Sequence, residues 1–291
     1  MLSKNNLEYA VLLCARNEET EIEESINKTM NQIIHPKYVV VVDDGSKDNT
    51  YLILKKLQSK YSNLIIVKRR DRGFSALGTY LMADVYNSGI DVLMSFKDWS
   101  YLMIVSADTR LPSNYVKKVI HRMGIKYGVG SGIPKDKRKM RISQCPGSGR
   151  IIRRDVLKGL GGGYPRTYAW EDAVFNYSRY VGYKTGHFPD ILFERTRPES
   201  KGHYRSYIGW GRGMKDNFRH PLAVLERILY VIIFSRDLNK ALRLLVGYIA
   251  QPGMKDPPEW YKYTKNMHKQ EIKKKIRRFL RIFKRIINKN I

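Results

Sequence analysis

Four consecutive valines, Val39 to Val42, constrain this chain more than any other stretch of it. Branching at Cβ fits them to a pleated strand, and apolar side chains at every position, rather than every second one, require burial on both faces. Sheets covered on both sides are those whose strands run mostly parallel between layers of helix. The surrounding sequence repeats the theme. Short apolar runs at residues 9–14, 64–67, 101–105 and 127–129 alternate with segments of helical spacing. Among the latter are Ile22, Ile26, Met30 and Ile33, then Leu52, Leu54, Leu57 and Tyr61 behind an Asp48-Asn49-Thr50 cap, then residues 75–86 and 113–123, a short piece around Val156, and residues 173–181. The predicted class is α/β, a mostly parallel sheet flanked by helices.

Size and charge bound the function. The 291 residues suffice for a large core, and an apolar fraction of 43% with 28% charged residues is that of a folded protein. Lys and Arg number 54 against 27 acids, a formal +27, which favours an anionic partner: nucleotide, nucleic acid or acidic lipid. Cys14 and Cys145 form no disulfide framework and no metal-binding spacing. No signal peptide opens the chain, and the apolar stretches 222–234 and 241–250 are interrupted by Glu226, Arg227 and Arg243, so a cytoplasmic, non-spanning chain is expected.

Ligands of open α/β sheets bind beyond the carboxyl ends of the strands. Three predicted strands end in polar clusters there: Arg16-Asn17-Glu18-Glu19, Asp43-Asp44-Gly45-Ser46 and Ser106-Ala107-Asp108. A dinucleotide fold would carry Gly-x-Gly-x-x-Gly after its first strand, and Ala15-Arg16-Asn17-Glu18-Glu19 stands there instead, which excludes that class. In order and spacing these strings, with Gly161-Gly162 and Trp170-Glu171-Asp172 further on, resemble glycosyltransferase family 2 from about residue 7 to 197. The resemblance implies a GT-A fold and transfer of a sugar from a nucleoside diphosphate.

Such a reaction separates a diphosphate from an anomeric carbon through an oxocarbenium-like state, so negative charge must be neutralised and the acceptor deprotonated. By resemblance, Asp108 binds Mg²⁺ or Mn²⁺ together with diphosphate oxygens, with Ser106 where relatives often carry Asp. Asp172 is the expected base, with Glu171 beside it. Asp43 and Asp44 are expected to bind the donor nucleotide, with Arg16 and Glu18 as further donor contacts, and Asp71-Arg72-Gly73-Phe74 falls at a second donor loop. Residues 203–213, with His203 and Trp210-Gly211-Arg212-Gly213, fall where relatives place a flexible loop over the diphosphate, making Arg212 a phosphate contact. No second nucleophile and no processive Gln-x-x-Arg-Trp string is legible, so single transfer with inversion is expected. The acceptor stays open among a lipid phosphate, a glycan and a protein side chain.

The implied organisation is a catalytic domain over 1–200, an acceptor-side loop and helical segment over 201–263, and a basic amphipathic helix over 264–291. From Lys265 onward 11 Lys and Arg face a single acid, Glu271, while Ile272, Ile276, Phe279, Leu280, Phe283, Ile286 and Ile287 share one face. This pattern suits the interface of an anionic membrane, giving a peripheral protein; packing of the stripe on the fold is the alternative. Nucleic acid is not the expected partner, because converging strand-end carboxylates would repel its phosphates.

Overall fold

The computed structural model describes residues 7–137, 145–197, 207–252 and 257–287, the last ten by backbone alone. It divides into two compact units, one of residues 1–166 and 173–201, the other of residues 167–172 and 202–291.

In the first unit, β1 (Tyr9–Ala15), α1 (Ile22–Met30), β2 (Tyr38–Asp43), α2 (Thr50–Lys60), β3 (Leu64–Lys68), α3 (Leu81–Ser95) and β4 (Tyr101–Val105) follow as crossover units. Then come β5 (Thr109–Arg110), α4 (Tyr115–Met123), β6 (Tyr127–Pro134), β7 (Arg150–Arg153), α5 (Arg154–Gly159), α6 (Trp170–Tyr180), which belongs to this unit from Ala173 onward, and β8 (Lys184–Arg195). Strand order is β3-β2-β1-β4-β7-β6-β8-β5. The first four strands are parallel, as the valine run required: Val39 to Val42 are buried without exception. β7 enters antiparallel beside β4 and was not foreseen, nor was β8.

Register places the ends of the parallel strands in a row. Ala15 pairs with Asp43, Asp43 with Lys68, and Leu13 with Val105, so the segments after β1, β2, β3 and β4 leave the sheet on one edge. Behind that edge one core joins Val11, Leu13, Val39, Val41, Met103 and Ile151 to Ile22, Ile26, Leu54 and Val119 of the helices. Two residues of the predicted stripes, Ile33 and Leu52, are exposed instead.

The helix expected at 75–86 begins at Leu81 and runs on to Ser95, through Asn87-Ser88-Gly89. Asn87 there holds the backbone of Tyr164 from both sides, receiving its N–H at 2.7 Å and donating to its carbonyl at 2.8 Å. Tertiary hydrogen bonds thus carry the helix through residues of weak helical propensity.

The second unit is helical: α7 (Tyr207–Asp216), α8 (Pro221–Ser235), α9 (Leu238–Ala250) and α10 (Glu259–Ile287). Val224, Val231, Ala241 and Leu244 form its seam. α10 packs in through Tyr261, Thr264, His268 and Ile272, which recur at helical spacing and are buried. The first apolar residue of the tail stripe, Ile272, is therefore part of the fold, whereas Ile276 is exposed and the side chains from Phe279 onward lie outside the described residues.

Candidate functional site

Loops after β1 and β2 are knitted together. Asn17, in the left-handed region at φ 55°, donates its backbone N–H to the Ser46 hydroxyl (3.0 Å) and accepts from Lys47 N–H at 2.8 Å through its side-chain oxygen. Glu19 N–H donates to Asp48, and the Glu19 carboxylate accepts from the backbone and side chain of Asn49. Gly45, at φ 74°, lets the β2 turn press on the loop after β3; a Cβ there would stand 2.5 Å from the Asp71 Cα. Only glycine meets both demands.

Three of the expected donor residues meet at this contact. Arg16 donates to Asp71 Oδ1 at 2.6 Å and to the carbonyl of Asp44. Asp71 also accepts from Gly73 N–H and pairs with Lys47; the Arg16 guanidinium, foremost, holds its carboxyl well below the usual range. Asp44, almost fully buried, is gripped by both terminal nitrogens of Arg72 and by Arg69 Nε at 3.2 Å. Asp43 differs. One oxygen accepts the Ser46 N–H at 3.0 Å, and the other, Oδ2, is buried without a hydrogen-bond partner. An unmatched buried carboxylate oxygen costs free energy and is rarely left so without a function.

Next to this, Glu18 receives two bonds from one nitrogen of Arg197, at 2.6 and 2.9 Å. Burial raises the Glu18 pKa, Arg197 opposes the shift, and the negative charges of Asp108 and Glu21 add to it, so these three carboxylates share one field. Glu21 in turn accepts from Thr196 (2.8 Å) and Arg110 (2.5 Å). Neither Arg110 nor Arg197 was among the expected site residues: Arg110 lies in the two-residue β5 and Arg197 follows the unforeseen β8, and neither position gives a local sequence signal.

Asp108 and Ser106 are half-buried at the end of β4. The Ser106 backbone is tied on both sides, its N–H to the Ser148 hydroxyl and its carbonyl to the Ser25 hydroxyl. Among the described residues no three His, Cys, Asp or Glu side chains converge as a metal-ligand set. An all-protein cage is thus not what these residues offer. Mg²⁺ and Mn²⁺ at phosphate sites commonly take one or two carboxylates plus phosphate and water oxygens, and a single carboxylate at Asp108 fits that donor set.

The second unit holds Glu171, Asp172 and Arg212. Both acids lie in the first turn of α6, where the helix dipole favours negative charge. Asp172 Oδ2 accepts from the buried Asn217 Nδ2 at 2.9 Å. Arg212 donates to the Tyr168 hydroxyl at 2.7 Å, and the Tyr168 N–H binds Asp216, whose other oxygen accepts from Gln251. Burial raises the Asp216 pKa against these bonds. The stretch expected as a flexible loop is, from Tyr207, helix α7 instead; His203 lies outside the described residues. Its glycines serve packing: a Cβ on Gly211 would stand 2.0 Å from the Leu244 carbonyl, and one on Gly247 equally near the Ile208 carbonyl. α7 and α9 touch backbone to backbone, which glycine alone permits.

Residues 10–139 match the profile described as Glycosyl transferase family 2. The cholesterol galactosyltransferase of Borreliella burgdorferi is 31% identical over 67 residues, 23% of this chain and 19% of that protein. The UDP-N-acetylglucosamine–dolichyl-phosphate N-acetylglucosaminyltransferase of Methanococcus voltae is 28% identical over 172 residues, 53% of this chain and 63% of that one. The chain thus spans less than two thirds of either relative. Among solved structures, the mannosyltransferase PcManGT from Pyrobaculum calidifontis, in complex with GDP-Man and Mn²⁺, superposes with a TM-score of 0.55 at 18% identity, covering 86% of this chain and 77% of that one. A fragment of S. aureus TarS in complex with UDP-GlcNAc gives 0.54 at 20% identity, covering 83% and 71%. Over residues 10–139 the chain is thus similar to glycosyl transferase family 2, and it shares the GT-A fold of these glycosyltransferase structures.

Proposed function

We propose that this chain transfers a single sugar, with inversion, from a nucleoside-diphosphate sugar to an acceptor hydroxyl or lipid phosphate. The observation that carries the reading is the unpartnered Oδ2 of Asp43, buried at the strand edge where α/β folds bind nucleotides. An N–H of the donor base would satisfy it. Arg16 and Asp44 frame that position through Asp71 and Arg72, and Glu18 belongs to the same donor half. Asp108 would hold Mg²⁺ or Mn²⁺, which would supply positive charge to the departing diphosphate. Arg212 is assigned to phosphate as well, and Asp172, with Glu171 beside it, to the acceptor.

In the reaction the acceptor oxygen forms its bond to the anomeric carbon as the bond to the diphosphate oxygen breaks. The electron pair leaves with the diphosphate. A hydroxyl acceptor gives its proton to the Asp172 carboxylate; a lipid phosphate, already anionic, needs no base and is only oriented. GDP-Man and UDP-GlcNAc in the two solved neighbours support a nucleotide-sugar donor, and dolichyl phosphate in the name of the Methanococcus relative supports a lipid-linked acceptor over a glycan or a protein. That acceptor class also favours a protein working at the cytoplasmic face of an anionic membrane. No helix among the described residues is long and apolar enough to cross one, so attachment would be peripheral.

Purified protein should be offered UDP-, GDP- and dTDP-sugars with Mg²⁺, Mn²⁺ or chelator, and nucleotide release followed. Release from one donor class, lost in Asp43→Ala, is the expected result. No release and no saturable binding of any nucleotide sugar would refute the reading.

A further inference from the structure

We propose that the outer face of the α8–α9 hairpin docks this protein on a membrane, lying flat in the interface of an anionic bilayer. The inference deepens the membrane-surface reading above and rests on it, not on the transfer chemistry.

Both helices are apolar on two sides, and the fold uses one. Val224, Val231, Ala241 and Leu244 fill the seam within the unit. On the other side Leu229, Ile233 and Phe234 of α8 and Leu238, Leu242 and Ile249 of α9 are each exposed to half of their surface or more, Phe234 to 71%. Scattered exposed leucines are ordinary, but six large apolar side chains on two adjoining helices make a patch of the kind that marks an interaction surface. Neither helix can span a bilayer: they have 15 and 13 residues, and a span needs roughly 20.

Charge selects the occupant. Acids that would oppose an anionic surface are already neutralised. Glu226, the one acid within α8, is held by Lys275 of α10 at 2.7 Å, and Asp237 caps α9 through the Lys240 N–H at 3.1 Å while pairing with its ammonium. α9 carries no acid at all. Arg236 and Arg243 remain exposed beside the apolar face, and α10, tied to α8 by that Lys275 contact, carries seven Lys and Arg against Glu259 and Glu271 between residues 259 and 277. A second copy docked by two-fold symmetry would bring the same cations face to face. A bilayer with acidic headgroups accepts both the apolar side chains and the cations around them, whose aliphatic stems reach outward to the headgroups.

The test uses the full chain and vesicle flotation, with phosphatidylcholine alone or mixed with phosphatidylglycerol. Ile233→Asp and Leu242→Asp replace exposed residues, so the unfolding temperature should not change. The parent should float with the anionic vesicles, and each variant should lose about tenfold or more in apparent affinity, because a carboxylate must then enter the apolar layer. In a Phe234→Trp variant, lipids brominated on their acyl chains should quench the added fluorescence. Undiminished flotation of both Asp variants, or no quenching, would overturn the assignment of this face. A parent that dimerises in solution, with Ile233→Asp monomeric, would also overturn it in favour of a second copy. If the parent bound no vesicles, the membrane reading itself would fall, while nucleotide release measured on the same samples would leave the transferase reading standing.

Discussion

Asn217 donates its side-chain amide to Asp172 Oδ2 at 2.9 Å, so the carboxylate assigned as the base is oriented by a buried residue one helix away. Asp172→Asn should lower kcat with a hydroxyl acceptor by about 10²- to 10⁴-fold while leaving the donor KM within a few fold, as loss of a general base does. Asn217→Ala should act on kcat in the same direction but less, about tenfold, through misorientation. Steady-state kinetics on folded variants decide; parent-like kcat in Asp172→Asn with such an acceptor would remove it from the mechanism.

Asp108 is the one carboxylate at the end of β4, beside Ser106 rather than a second acid. Asp108→Ala should therefore shift the Mn²⁺ titration of donor hydrolysis to higher concentration by about tenfold or more and weaken donor binding. Ser106→Asp should shift it the other way. Identical titrations for parent and Asp108→Ala would exclude the metal role.

Asp44 is nearly buried and held by two arginines. Removing the bidentate partner in Arg72→Met leaves Arg69 alone on a desolvated carboxylate, which should cost about 2 kcal/mol of stability, less than the loss of a whole buried pair. Arg72→Met with Asp44→Asn should recover part of that loss, since an amide needs no counter-charge. Denaturant unfolding of the two variants measures the coupling; additive losses would mean the pair is not an energetic unit.

The parallel half of the sheet was legible because its strands are apolar at every position, and the crevice because short polar strings follow those strands. β7 and β8 were not. Arg150-Ile151-Ile152-Arg153 is brief and flanked by arginines, and Arg150 is nonetheless buried, its guanidinium 4.7 Å from the Phe175 ring; such pairing leaves no sequence period. The same limit hid Arg197 from view, as its partner Glu18 lies at the other end of the chain segment. The resemblance misled in α7, where Trp210-Gly211-Arg212-Gly213 was expected in a flexible loop, yet Gly211 and Gly213 are buried in a helix. A glycine states that space is short or φ is positive, and only the neighbours tell which.

His268 is buried on α10, and its Nδ1 has no hydrogen-bond partner. Burial first, and the Arg219 charge second, lower its pKa to about 4, against the opposite pull of Glu271 and the backbone of Phe218 and Asn217. Unfolded, the same imidazole titrates near 6.5. Above that pH both states hold it neutral, and stability does not change on its account. As pH falls from about 6.5 to about 4 the unfolded chain takes up a proton that the folded one refuses, so stability declines by about 3 kcal/mol over that window and levels off below it. The loss is local in origin: charging His268 would strain the packing of α10 against Asn217, the residue that orients Asp172. His268→Gln cannot titrate, so its unfolding temperature should change less than the parent's between pH 6.5 and 4.5, whatever its absolute value at neutral pH. Parallel curves for parent and variant across that window would show that the proton is not excluded by the fold and that α10 is more open at His268 than its burial implies.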